Sequence, residues 1–184
     1  MSDITIDDFP RDGLVYIAKW RTDPEVNQFL RPGLRTLEAV HEWYETYFSR
    51  EAHKLFAVYD HETLIGYGTL EHLDLQNRSC EIGIVIGEKQ YWKQGMGSAA
   101  VKQLTDMAFK AYHMHRVFAV IQEGNIASMH CFTQVGFRHE GRLREARYVH
   151  GHFIDLHYYA VLEDEWASGD KDHTNVAADD LCHR

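Results

Sequence analysis

The sequence predicts an α+β domain in which a mixed, mostly antiparallel central sheet carries helices on both faces. Three observations predict it. Strand candidates at Leu55 to Tyr59, Thr63 to Leu73 and Cys80 to Ile86 follow one another across short turn-forming segments. A glycine-opened amphipathic run then begins at about Ser98. Beyond it come a strand, a short helix bounded by Asn125 and Gly136, and a closing strand pair.

The elements follow from local pattern. Ile4 to Ile6 is a short opening strand. Pro10 to Trp20 and Pro24 to Leu30 read as helical pieces parted by Asp23-Pro24, and Arg31-Pro32-Gly33 as a loop. Thr36 caps a stretch with apolar residues at Leu37, Val40, Trp43, Tyr44 and Tyr47, spaced for one helical face and ending before Glu51. Asp60-His61-Glu62 and Asp74 to Ser79 suit antiparallel hairpins between the three strands. A helix from Ser98 to Tyr112, a strand from Arg116 to Gln122, a helix from Ile126 to Val135, and strands from Phe137 to Val149 and Gly151 to Leu162 complete the order. From Trp166 the chain turns polar and is expected to fray, which gives one domain over 1–166 and a tail over 167–184.

Composition bounds the function. At 184 residues and 45% hydrophobic content, the chain suits one domain with a real core. The formal net charge of −9 argues against a nucleic-acid partner and permits a cationic one. Without a long apolar span or an apolar N-terminal signal core, no membrane contact is expected and cytoplasmic residence is. Three widely spaced cysteines, Cys80, Cys131 and Cys182, read as reduced thiols. The pairs His113/His115 and His150/His152 have no cysteine or carboxylate at ligand spacing, so no metal is expected.

The segment Glu81-Ile82-Gly83-Ile84-Val85-Ile86, followed after a short turn by Gln94-Gly95-Met96-Gly97-Ser98, joins a strand to a glycine-rich loop that opens a helix. Unpaired N–H groups and the positive end of the helix dipole attract phosphate oxygens there. The loop lacks the lysine of a nucleotide triphosphate loop, and Ala100 stands where a dinucleotide fingerprint prefers its third glycine. An ordinary glycine turn is the competing reading.

A second cluster, Asn125-Ile126-Ala127-Ser128 through Gly136-Phe137, then Glu140-Gly141 and Gly151-His152-Phe153-Ile154-Asp155, completes a pattern. From about Ile4 to Trp166 the sequence resembles the GNAT superfamily of acetyl-CoA-dependent N-acetyltransferases, above all the branch of ribosomal-protein N-terminal and spermidine acetyltransferases. That branch shares segments like Trp20-Arg21-Thr22-Asp23-Pro24-Glu25-Val26. The resemblance implies acetyl-CoA as co-substrate, with Val85, Ile86, Lys93, Gln94, Gly95, Met96, Gly97, Ser98, Asn125 and Ser128 around it. It also implies that the strands at Cys80 to Ile86 and Arg116 to Gln122 splay apart to admit the pantetheine arm. In the favoured register, Trp92 replaces the family's usual Gln or Arg.

Chemistry constrains the rest. An acceptor amine, with a reference pKa of about 10.4, must lose a proton before it attacks a thioester. Strand alternation puts Ile82, Ile84 and Ile86 on one face and Glu81, Gly83 and Val85 on the other. Glu81 is the first candidate base, because the resemblance implies a carboxylate at this position, and Glu71 is the second; pairing with a cross-strand Arg or Lys is the plain alternative for Glu81. A backbone N–H near Val85 or Ile86, freed by a strand irregularity as in the family, would serve the oxyanion. The family's thiolate-holding Tyr is replaced here by Phe132; the resemblance to the branch acetylating ribosomal-protein termini implies Ser128 in that duty instead, with a helix cap as the competing reading of Ser128 and Tyr148 in reserve. Arg31 to Leu34 and the final hairpin, with Arg147, Tyr148, His150, His152 and Asp155, are expected around the acceptor; Glu42, Glu45 and Asp155 would give it an acidic lining. The acceptor is a polyamine, a protein N-terminus or an amino sugar. A non-catalytic acyl-CoA sensor and a different acyl or O-acyl transfer are the alternatives, and a homodimer paired through sheet edges is allowed.

Overall fold

A computed structural model describes residues 4–149 and 151–169. Seven strands form one sheet in the order β1-β2-β3-β4-β5-β7-β6, and every pair is antiparallel except β4/β5. The strands are β1 Ile4–Asp8, β2 Lys54–Asp60, β3 Thr63–Asp74, β4 Ser79–Ile86, β5 Arg116–Gln122, β6 Arg138–Val149 and β7 His152–Leu162. The helices are α1 Leu14–Thr22, α2 Leu37–Trp43, α3 Met96–Lys110, α4 Ile126–Val135 and α5 Glu163–Ser168.

Alternation sorts the side chains into two cores. Leu70, Cys80, Ile82 and Val117 meet Val101, Leu104 and Ala108 of α3 and Met129 and Phe132 of α4 on one face. Leu55, Ala57 and Tyr67 meet Leu14, Ile17 and Trp20 of α1 and Val40 of α2 on the other. Helices thus cover both faces, as expected.

The parallel pair matters most. β4 and β5 are in register only at Ser79/Arg116, Cys80/Val117 and Glu81/Phe118, although both strands continue for several residues beyond. Past Glu81 they part, and a wedge opens between Ile82–Ile86 and Ala119–Gln122. Two side chains tie its lips elsewhere: Trp92 Nε1 donates to the Ile86 carbonyl at 2.8 Å, and Gln122 Nε2 donates to the Phe29 carbonyl at 2.8 Å.

Several expectations need correction. Pro24 to Leu30 is a chain of turns and not a helix. Its Asn27 N–H reaches the Asp23 carbonyl and its Leu30 N–H only the Asn27 carbonyl, a three-residue turn, while Gln122 and buried Arg21 hold the carbonyls of Phe29 and Arg31 at its end. α3 begins two residues early, at Met96. Gly95 takes the left-handed conformation at φ 80° as its cap, and Met96 is buried beside Val58 and Ile65. Ser98 therefore caps nothing; its hydroxyl reaches Gln134 Oε1 at 3.1 Å on α4. The expected irregularity near Val85 or Ile86 is absent, because β3 and β4 stay in register from Gly66/Ile86 to Glu71/Glu81. The shift lies instead between Glu71 and Asp74, where His72 has φ 53°. Trp166 does not fray: it sits in α5, against Phe109, and donates from Nε1 to Asp106 at 3.0 Å. Cys182, His150 and residues 170–184 of the expected tail lie outside the described residues.

Gly66 on β3 supports the lip of the wedge from behind. A Cβ built there meets the Val85 carbonyl oxygen at 2.2 Å, and backbone cannot step aside cheaply. Gly66→Ala is expected to destabilise the fold by about 1–3 kcal/mol, the usual cost of overpacking, read as a lower urea midpoint at an unchanged slope.

Candidate active site

The wedge gives the site its floor. In a strand, successive N–H groups point to opposite edges. Gly87 N–H bonds to the Ile65 carbonyl of β3 at 2.8 Å, so in register Val85 and Gly83 also turn toward β3. Ile84 and Ile86 therefore turn their N–H groups into the wedge, where β5 no longer pairs with them. Of the two expected backbone donors, Ile86 faces the opening and Val85 faces away, its side chain packed with the α1 layer.

The loop after β4 ends in two left-handed residues, Lys93 at φ 60° and Gly95 at φ 80°. Gly95 offers no side chain to cap α3, so the N–H groups of Met96, Gly97 and Ser98 form an open helix end near the top of the wedge. A Cβ on Gly97 would meet Cys131 Sγ at 3.7 Å and Ile86 Cγ1 at 4.0 Å, both ordinary contacts, so nothing in the protein crowds that position. Gln94 braces the loop by donating to the Gln90 carbonyl, and Trp92 turns its indole inward. Across the opening, Asn125 caps α4 as expected, its Oδ1 accepting from Ser128 N–H at 3.2 Å. The Ser128 hydroxyl makes no hydrogen bond among the described residues. Phe132 is buried edge-on against Phe137, a core residue with nothing to donate.

Below the wedge, Glu71 and Glu81 stand directly opposite each other on β3 and β4. Neither pairs with a lysine or arginine among the described residues. Tyr47 donates to Glu71 Oε2 at 2.7 Å, and Glu81 Oε2 lies 3.4 Å from His72 Nδ1. Burial pushes the Glu81 carboxyl above the usual carboxylate range, and Glu71 adds to this; His72 and Arg31 pull the other way. Burial raises the Tyr47 phenol as well, helped by the Glu71 carboxylate that it donates to. His53, stacked on Tyr47 with ring centroids 3.9 Å apart, is pushed down by burial and by the nearby His72.

Sequence reasoning brought Glu71, Glu81, Ser128 and the glycine loop to one opening. It missed Tyr47, counted as one more apolar position of its helical stripe, and His72, whose placement depends on the bulge in β3. Two strand residues of the polar set, Glu71 followed by His72, break the alternation there and were the available signal. Asp155 does not line a pocket: it is buried, accepting from Glu145 N–H at 2.7 Å and from Arg142 Nε. Glu45 pairs with Arg11 at 2.5 Å, and Tyr148 lies outside on Phe153. Among the described residues no group of His, Cys, Asp and Glu could hold a metal, and no helix is long and apolar enough to cross a membrane.

Comparison with known proteins gives a consistent result. The family model for the acetyltransferase (GNAT) domain matches residues 3–138. The putative ribosomal N-acetyltransferase YdaF of Bacillus subtilis is 34% identical over 125 residues, which is 68% of this chain and 67% of that one. A spermidine N(1)-acetyltransferase of Vibrio cholerae is 24% identical over 71% of this chain and 76% of its own. The crystal structure of spermidine N-acetyltransferase from Vibrio cholerae with CoA and spermine superposes with a TM-score of 0.82 at 21% identity, covering 91% of this chain and 99% of that one.

The two glycines of the loop separate by experiment. Gly95→Ala forces a side chain into the left-handed region and is expected to cost about 1 kcal/mol of stability and about tenfold in acetyl-CoA affinity. Gly97→Ala, in an open helical position, is expected to change neither, as read by thermal unfolding and by calorimetric titration with acetyl-CoA.

Proposed function

This chain belongs to the GNAT acetyltransferase family and is an N-acetyltransferase that takes its acetyl group from acetyl-CoA; on that premise we propose that Glu81 is the general base for direct attack by a primary amine. The observation that carries the reading is the position of Glu81, at the last paired residue before the wedge opens, with its carboxyl raised by burial and by Glu71. Acetyl-CoA supplies the acetyl group activated as a thioester. Glu81 takes a proton from the acceptor ammonium, directly or through one water, and leaves a nitrogen lone pair free to attack. The raised carboxyl suits this task, since it is a stronger base than an ordinary carboxylate.

The remaining chain groups divide the charge that develops. The N–H group of Ile86, turned into the wedge, donates to the carbonyl oxygen as it becomes negative. The Ser128 hydroxyl, one turn into α4, donates to the departing sulfur in place of the absent tyrosine. The open end of α3, from Lys93 to Ser98, receives the diphosphate through its main-chain N–H groups. Glu71 orients rather than abstracts: with Tyr47 bonded to it, it holds negative charge beside Glu81. The proposal includes action in a reducing compartment, the cytoplasm, supported by the unpaired thiols of Cys80 and Cys131, and self-association through the open edges β1 and β6. The acceptor is an amine of the kind named for the relatives, a polyamine or a protein terminus.

Two measurements test this. Glu81→Gln is expected to lower kcat for thiol release by about 10²–10⁴, the usual worth of a positioned base, and Ser128→Ala to lower it less; acetyl-CoA affinity is unchanged in both. Loss of cofactor binding in Glu81→Gln, or full activity, contradicts the assignment. The second is the pH profile of kcat/KM. A base must be ionised, so activity falls as pH drops through the raised Glu81 value, giving an acidic limb above the ordinary carboxylate range. His72→Ala removes a partner that favours ionised Glu81, so the limb moves to higher pH.

A further inference from the structure

Glu81 must give up, in every cycle, the proton that it takes, and the bulge in β3 puts beside it a group that can receive it. Between Glu71 and Asp74 the ladder with β4 shifts, and His72 sits there in the left-handed region at φ 53°, a conformation that is costly for a residue with a Cβ and needs outside support. The support comes from the turn before β2. His72 N–H donates to His53 Nδ1 at 3.3 Å, and Leu73 N–H donates to the Ala52 carbonyl at 3.0 Å. His53 is itself fixed, buried and stacked on Tyr47, whose hydroxyl donates to Glu71. The consequence is a His72 ring with Nδ1 3.4 Å from Glu81 Oε2 and a side chain 54% exposed, whereas that of Glu81 is 21% exposed. One ring thus touches the carboxyl and bulk water. The other charged or titratable groups around the pair do not compete for the proton. Glu71 already accepts from Tyr47, His53 spends its Nδ1 on the His72 N–H, and Arg31, Arg50 and Arg147 are guanidiniums with no lone pair to offer.

We propose that His72 carries the proton from Glu81 to solvent and so resets the base after each transfer. The inference rests on the reading of Glu81 as that base. Acetyl transfer to an ammonium acceptor releases one proton overall. Of the two protons that the nitrogen loses, one leaves with the sulfur as the CoA thiol, and the other stays on Glu81. In the Nε2–H tautomer the His72 Nδ1 lone pair faces Oε2: the O–H bond breaks, an N–H bond forms, the carboxylate is restored, and the imidazolium then loses a proton to water. Exchange with water returns the ring to its starting tautomer. An imidazole suits the step because it gains and loses a proton near neutral pH. Burial of Glu81 raises its affinity for the proton toward that of an imidazole, which keeps the transfer close to level. The 3.4 Å contact is longer than a hydrogen bond, as such contacts often are before substrate binds, and a small movement of an exposed ring closes it. His72 acts through Glu81 and not on the acceptor, and His53 positions it.

His72→Asn separates this role from a structural one, since asparagine tolerates the left-handed region and can bond to a carboxylate but cannot carry a proton. Thiol release is followed in weakly buffered solution with acetyl-CoA and, in turn, spermidine, glucosamine and a serine-alanine dipeptide. The variant is expected to keep its thermal unfolding midpoint and its affinity for acetyl-CoA, to lose about 10²-fold in kcat, the lower end for a positioned proton-transfer group, and to recover in proportion to added imidazole. Full activity in His72→Asn, or a loss that imidazole does not repair, overturns the proposal. A second measurement needs no acceptor. Nitrogen resonances of the labelled His72 ring, followed against pH in the CoA-saturated protein, are expected to titrate in two steps that belong to the His72 and Glu81 pair, and Glu81→Gln is expected to remove one of them. A single step that Glu81→Gln leaves unmoved overturns the relay. The base is judged apart from it. Loss of turnover in Glu81→Gln beside full turnover in His72→Asn keeps the base and removes the relay, whereas turnover that survives Glu81→Gln removes the base and the relay with it.

Discussion

Everything in this molecule turns on where β4 and β5 stop pairing. A parallel pair inside a sheet normally satisfies the inward N–H and C=O groups of both strands, and leaving them bare is costly unless other partners replace them. Here the pairing ends at Glu81 and Phe118; the Trp92 indole takes the Ile86 carbonyl at the end of β4, and the amide of Gln122, the last residue of β5, reaches the Phe29 carbonyl. The wedge is thus a feature of the sheet itself, fixed where the β4/β5 ladder ends. Backbone donors at Ile84 and Ile86 face it for the same reason, and α3 and α4 begin after the loops that leave β4 and β5.

Charge follows from that geometry. Glu81 lies at the vertex of the wedge, half-buried, with Glu71 opposite in register, so the energetic tension between two carboxylates is present before any ligand arrives. Tyr47 and His72 relieve it unequally, one by donating to Glu71, the other by lying 3.4 Å from Glu81. The result is a pair of acidic residues with different neighbours and hence different duties.

The sheet and most of its helices were legible because their signals are local. β5 and α4 have the bounds that their sequence gives, since alternation and the Asn125 and Gly136 caps need no distant partner. Segments whose shape depends on distant side chains were not legible. Pro24 to Leu30 carries helix signals, yet it forms turns whose end is held by Gln122 on the Phe29 carbonyl and by Arg21 on the Arg31 carbonyl. α5 looked like the start of a polar tail because Trp166 finds Phe109 and Asp106 only in three dimensions. The site divides in the same way. Glu81 follows from strand alternation, while its neighbour His72 depends on one extra residue in β3. Trp92 departs from the family pattern in letter, but its indole closes the free carbonyl at the end of β4.

The central claim is that the open end of α3 and the unpaired edge of β4 together receive acetyl-CoA. Amide chemical shifts of the labelled protein, followed during titration with CoA, test it most directly. The account predicts that the largest changes fall on Lys93 to Ser98 and on Ile84 and Ile86, saturating together with one affinity. Changes confined to other surfaces, with those amides unmoved at saturation, would contradict it.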